Sequence, residues 1–113
     1  MLPKSRRLRT PLFKKTLNSK GFFVRSRTFN LKANFVKGLG KSKASCVSPK
    51  GQFRKAVERN KARRICYEAV KIYLLKIKED YILIFNLKKE IFSVSHKELQ
   101  AELKSAMINA KLL

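Results

Sequence analysis

The chain has 113 residues, 28 of them Lys or Arg against 7 Asp or Glu, for a formal charge of +21, and 44% are apolar. That length supports one domain around one core and excludes two. The apolar share, with 8 Phe and 3 Tyr, excludes wholesale disorder, and no apolar run approaches the ~18 to 20 residues that span a bilayer.

Residues 1–9 are basic and unpatterned, and read as a mobile arm. No apolar stretch follows the first basic residues, so secretion is not expected. Thr10 offers an N-cap and Pro11 suits a first helical position, where a missing N–H costs nothing. With Leu12, Phe13 and Leu17 as an apolar stripe, a helix is expected over residues 11–19.

A strand-rich segment follows, with a further short strand possible at Phe22–Val24. Phe29, Leu31, Ala33 and Phe35 alternate with Asn30, Lys32, Asn34 and Val36, which predicts one inward face and one polar, partly basic face. Lys37–Ser42 is a glycine-bearing turn, Lys43–Ser48 a second strand and Pro49–Gln52 a loop.

A long helix is predicted from Phe53 or Arg54 to about Lys76. At about 100° per residue, Ala62, Ile65, Cys66, Ala69, Ile72 and Tyr73 share a buried face, and Asn60, Arg63, Arg64, Tyr67 and Lys71 share the opposite one. Tyr81–Phe85, a continuous apolar run, reads as a central strand covered on both faces. Asn86–Glu90 is a loop. Ser95 and Glu98 form a capping box opening a last helix to about Ala110, with Leu99, Leu103, Ala106 and Met107 inward. The fold class expected is a small α/β (α+β) sandwich of order α-β-β-α-β-α, one mostly antiparallel sheet with helices on one side.

Charge is densest at the start of the long helix. Arg54, Lys55, Arg59, Lys61, Arg63 and Arg64 place six cations in eleven positions, offset only by Glu58. Cations so crowded repel one another unless a polyanion lies against them, and nucleic acid is the first candidate. Cys46 and Cys66 have no metal-ligand spacing and the single His96 adds no ligand set; both cysteines read as small buried apolar residues in a reduced, cytosolic setting, with a disulfide between them as the open alternative.

At these residues the chain resembles the protein subunit of bacterial ribonuclease P. The resemblance is carried by Arg7-Leu8-Arg9 with Phe13, by Lys20-Gly21, and by Arg27 with Phe29. It continues through Val47-Ser48, Ala56–Arg64 (A-V-E-R-N-K-A-R-R), Asp80–Ile84 and the S-x-x-E-L start at Ser95. Three departures stand out. Lys61 occupies the third position of an Arg-Asn-Arg signature, keeping charge without the guanidinium fork. The loop from Pro49 to Lys55 is longer than usual, with Pro49 where Lys is common. Lys32 and Leu17 stand where aromatics are usual.

The resemblance implies a left-handed βαβ crossover around the signature helix, against the general handedness rule. It also implies a division of labour. A catalytic RNA subunit, with Mg²⁺ held mainly by RNA, cleaves precursor tRNA; the protein docks on that RNA and helps hold the 5′ leader. On this reading Arg59, Asn60, Lys61, Arg63 and Arg64, with Arg54, Lys55, Arg27 and Lys50, contact RNA. Phe13, Lys14, Leu17 and Lys32 line a leader-binding cleft in which bases stack. Tyr67 and Lys71 extend the cationic stripe, whereas Glu58 and Glu68 are intrahelical partners of cations. No carboxylate pair, Ser/His/Asp set or metal cluster supports catalysis by the protein itself, and neither a membrane nor a small-molecule substrate is expected. The alternative is a ribosomal or other structural RNA-binding protein without a catalytic partner.

Overall fold

The computed structural model describes residues 21–112. The expected basic arm, the helix over 11–19 and the cleft residues Phe13, Lys14 and Leu17 lie outside them.

Four strands form one mixed sheet: β1 (Phe22–Arg25), β2 (Phe29–Phe35), β3 (Lys43–Val47) and β4 (Tyr81–Leu87), in spatial order β1-β2-β4-β3. β1 pairs antiparallel with β2, and β2 with β4, while β3 runs parallel to β4. Helix α1 (Ala56–Leu74) connects β3 to β4, and a 3-10 segment (Lys89–Ser93) leads into helix α2 (His96–Asn109). The β3–α1–β4 unit is the one to which the resemblance assigns a left-handed crossover.

Period-two patterning selects the two sheet faces. Phe29, Leu31, Ala33, Ala44, Cys46, Leu83, Phe85 and Leu87 turn to one side and are buried there. They meet Ala62, Cys66, Ala69, Val70 and Leu74 of α1 and Leu99, Leu103, Ala106 and Met107 of α2. The other face carries Asn30, Lys32 and Asn34 of β2 opposite Asn86, Ile84 and Ile82 of β4. Ile82 and Ile84 are fully buried as well, so β4 is central and covered on both faces, as its unbroken apolar run predicts.

Several expectations are corrected. Helix α1 begins at Ala56 and ends at Leu74, inside the predicted bounds. Phe53 is only 1% exposed and belongs to a turn, its N–H and that of Gln52 both donating to the Pro49 carbonyl. Ile72 is exposed and Val70 takes its place in the core, because the buried stripe is centred on Cys66, Ala69 and Tyr73. Phe35 points to the inward side yet is 61% exposed, since it ends the strand beyond the helical cover; its ring packs edge-on against Tyr81 at 5.5 Å. Asn86 and Leu87 extend β4, and Lys89 and Glu90, also expected as loop, open the 3-10 segment.

Asp80, at φ 69°, fastens the turn before β3. Its carboxylate accepts from the Gly40 N–H at 2.6 Å, its own N–H donates to the Gly40 carbonyl and its carbonyl accepts from Val36. Gly38 and Gly40 take φ of 81° and 85°, a region where other residues are strained.

Candidate nucleic-acid interface

The carboxyl ends of β3 and β4 lie side by side, with Val47 registered against Asn86. The segments that follow these strands therefore gather at one end of the sheet. They are the turn with Lys50, the start of α1 with Arg54 and Lys55, and the 3-10 segment. Arg27, in the β1–β2 turn, lies at the same end, since Phe29 pairs with Leu87 and the Lys88 N–H donates to the Thr28 carbonyl. Gln52 ties two of these pieces by accepting from the Lys89 N–H at 3.1 Å. The amino end of α1 adds its partial positive charge there, which favours an anion.

Lys55 is the N-cap of α1, and its side chain makes no capping hydrogen bond. Glu58 supplies the cap instead, its carboxylate accepting from the Lys55 N–H at 3.2 Å. Glu68 is paired with Lys71 at 3.1 Å, and that lysine holds its carboxyl below the usual range. Glu68 thus pairs with a cation within the helix, as expected, whereas Glu58 is engaged by the backbone at the helix start.

The predicted RNA-contacting residues separate into distinct positions. Arg27, Lys50, Arg54, Lys55, Asn60, Lys61 and Arg64 are exposed, while Arg59 and Arg63 are half-buried. Arg59 bends back, its Nη1 donating to the Phe53 carbonyl at 3.0 Å and the Arg54 carbonyl at 2.9 Å. Its own carbonyl accepts from the Ser48 hydroxyl. Arg59 therefore fixes the entry to α1 as well as adding charge. Arg63 donates to the Asn60 side-chain oxygen, which locks this pair together one turn apart. A shallow cleft of about 370 Å³ follows, lined by Asn60, Arg63, Arg64, Tyr67 and Glu68.

Tyr67 is not fully on the solvent side as its helical position implies. It is half-buried, and its hydroxyl accepts from the Cys46 N–H of β3 at 3.1 Å. Because β3 is an edge strand, this bond covers one donor of an open edge. Burial raises the Tyr67 hydroxyl above its ordinary pKa. Beneath it the Cys46 thiol lies 2.7 Å from the Cys66 sulfur, both buried and reduced. Burial, and then the neighbouring thiol, push Cys46 well above the usual cysteine range. Such a thiol is inert, in keeping with a packing role.

Arg64 also borders a second groove, which it lines with Lys61 of α1 and Phe92 of the 3-10 segment. Lys61 Nζ stands 5.5 Å from the ring centre of Phe92. Sequence reasoning missed Phe92; the only signal was an aromatic between the expected loop and the last helix. Lys32, on the sheet face away from the helices, is half-buried between Phe23 of β1 and Ile84 of β4. Phe23 is 51% exposed with the Arg25 guanidinium carbon 5.8 Å from its ring centre. An aromatic therefore does stand beside Lys32, supplied by the neighbouring strand.

Among the described residues no three His, Cys, Asp or Glu side chains gather into a metal-binding group, and no helix is long and apolar enough to cross a membrane.

Solved structures of RNase P proteins are similar to this chain. The Staphylococcus aureus RNase P protein superposes with a TM-score of 0.79 at 22% identity, over 96% of this chain and 98% of that one. A mutant of it with defective mRNA degradation activity gives 0.81 at 22%, over 97% and 92%. The Thermotoga maritima RNase P protein gives 0.73 at 20%, over 88% and 92%. At such identities these likenesses speak for the fold alone. No curated relative matches the chain. The family model for ribonuclease P matches residues 2–111. With nearly the whole length matched, the chain belongs to the ribonuclease P protein family, the protein partner of RNase P RNA in the endoribonuclease complex that processes tRNA.

Proposed function

We propose that this chain is a single RNA-binding domain whose amino-terminal half of α1 docks on the catalytic RNA subunit of ribonuclease P. The outer face of the sheet, with Lys32, then holds the 5′ leader of precursor tRNA. The observation that carries this reading is the crowd of exposed cations at the entry to α1 and on its first turns, Arg54, Lys55, Lys61 and Arg64, with Arg27 and Lys50 at the same end of the sheet. Neutralising RNA phosphates releases their condensed counterions, and that release is the main source of affinity. Two anionic RNAs approach one another more readily once this charge stands between them. Asn60, held by Arg63, adds hydrogen bonding to RNA backbone or 2′-hydroxyl groups.

Hydrolysis belongs to the RNA on this reading, and Mg²⁺ held by the RNA supplies charge neutralisation at the scissile phosphate. The protein contributes position and counter-charge, and works in the cytoplasm. The deciding measurement is cleavage of a precursor tRNA by ribonuclease P RNA at low Mg²⁺, with and without the protein. Cleavage at the mature 5′ end by the two together, and by neither alone, supports the reading. RNA binding without rescue favours a structural RNA-binding role, and cleavage by the protein alone overturns both.

A further inference from the structure

A groove of about 420 Å³ runs between α1 and the corner where the 3-10 segment meets α2. Ile65 and Leu99 lie at its floor, half-buried and buried, while Lys61, Arg64, Phe92 and His96 are exposed around its rim. The volume falls in the range of roughly 300–1,000 Å³ typical of small-ligand clefts. Glu68 also borders it, but its charge is engaged by Lys71.

Phe92 is the unusual member. It is 39% exposed, yet its ring is held edge-on against buried Phe53, with centres 5.5 Å apart and planes at 82°. A fixed aromatic surface open to solvent is therefore presented beside two cations. Those cations, Lys61 and Arg64, belong to the row of charge that marks α1 as an RNA-docking helix. Nucleic acid laid along that row passes the mouth of the groove, and complementarity of charge selects a nucleotide as the occupant.

We propose that this groove is a nucleotide subsite. An unstacked base of the RNA bound by α1 lies against Phe92, with its phosphate between Lys61 and Arg64. This rests on the RNA-binding reading given above. In the free protein Lys61 stands over the Phe92 ring. An arriving base takes that ring face, and the flexible ammonium shifts to the accompanying phosphate. Stacking on an aromatic accepts any base, so the subsite selects for an unpaired nucleotide at this point of the RNA and not for a particular sequence.

The chain contains no Trp, so Phe92→Trp places one reporter in the groove, and base stacking quenches indole emission. Titration with ribonuclease P RNA is expected to quench this emission along the binding curve of the unsubstituted protein. Phe92→Leu, checked by circular dichroism to be folded, is expected to weaken RNA binding by about fivefold to a hundredfold, the equivalent of one lost stacked base. Unchanged emission in a Phe92→Trp protein that binds RNA with undiminished affinity would overturn the subsite while leaving α1 as the docking helix. Undiminished affinity of Phe92→Leu would do the same. If the unsubstituted protein fails to bind the RNA, the RNA-docking reading falls and the subsite falls with it.

Discussion

Thr28 and Glu102 stand 74 positions apart in the chain and are joined by two hydrogen bonds. The Thr28 N–H donates to one carboxylate oxygen at 2.9 Å and the Thr28 hydroxyl donates to the other at 2.8 Å. Thr28 is fully buried at the mouth of β2, so this fork fastens α2 to the sheet at a point where neither donor reaches water. Glu102→Ala orphans both donors and is expected to cost about 2 to 3 kcal/mol in urea unfolding, a loss typical of bonds to a charged group. Glu102→Gln keeps an acceptor and a donor at the same reach and should lose less. Equal stability of the alanine variant would remove this contact from the account of the fold.

Arg59 and Arg64 lie in one motif but hold different positions, and their variants should separate. Arg64 is exposed, whereas Arg59 caps the carbonyls of Phe53 and Arg54. Arg64→Ala is expected to leave the unfolding midpoint unchanged. Arg59→Ala should lower stability by about 1 to 2 kcal/mol. Thermal unfolding of the two variants side by side checks this, and a shared, unshifted midpoint would contradict it.

Removing exposed charge from α1 should matter most where metal ions are scarce. Arg64→Ala or Asn60→Ala is expected to reduce precursor tRNA cleavage about tenfold at low Mg²⁺, as for one lost charge-assisted bond. Raising Mg²⁺ should restore most of it. For Arg64→Ala the slope of log affinity against log salt should also fall by about one phosphate contact. Cleavage insensitive to these substitutions at low Mg²⁺ would count against α1 as the docking element.

The buried thiol and phenol give stability a definite pH dependence. Cys46 and Tyr67 both have raised values in the folded protein, mainly through burial. Below about pH 8.5 neither group ionises in either state, and the stability of the buried neutral forms is fully present. Above that the unfolded chain ionises first, so stability declines, through Cys46 from about pH 8.5 and through Tyr67 from about pH 10. Urea midpoints across pH 7 to 11 test the sign. Iodoacetamide at pH 8 should label the folded protein slowly and the unfolded chain quickly; rapid native labelling would contradict the burial.

Helix α2 starts on a reciprocal cap in which the Ser95 hydroxyl accepts from the Glu98 N–H at 3.1 Å and Glu98 accepts from the Ser95 N–H at 3.2 Å. Ser95→Ala is expected to cost about 1 kcal/mol. Those bonds depress the Glu98 carboxyl, whose contribution is present above the ordinary carboxylate range and fades as pH falls through its lower folded value. An NMR titration showing Glu98 at an ordinary value would refute the cap in solution.

Much of this protein was legible before its fold. Alternation in β2, the unbroken run of β4, the capping box of α2 and the crowded cations of α1 each follow from a local pattern of side chains. A chain of this composition needs one core and an anionic partner, and those demands can be read without coordinates. The errors fall where local pattern is not decisive. Phe35 obeys the alternation of its strand but lies beyond the helical cover. Ile72 is apolar but sits round the helix from the stripe that Cys66 and Ala69 define. Tyr67 reads as solvent-facing until β3 offers it the Cys46 N–H.

What only the tertiary structure decided is which distant residues share a place. Parallel pairing of β3 with β4 gathers Lys50, the start of α1 and the 3-10 segment at one end of the sheet. That pairing also sets Phe92 against Lys61, and antiparallel pairing of β1 with β2 sets Phe23 beside Lys32. Periodicity reports which way a side chain faces within its own element. It carries no information about which element comes to lie opposite, because that choice is settled by burying all the apolar faces together in one core.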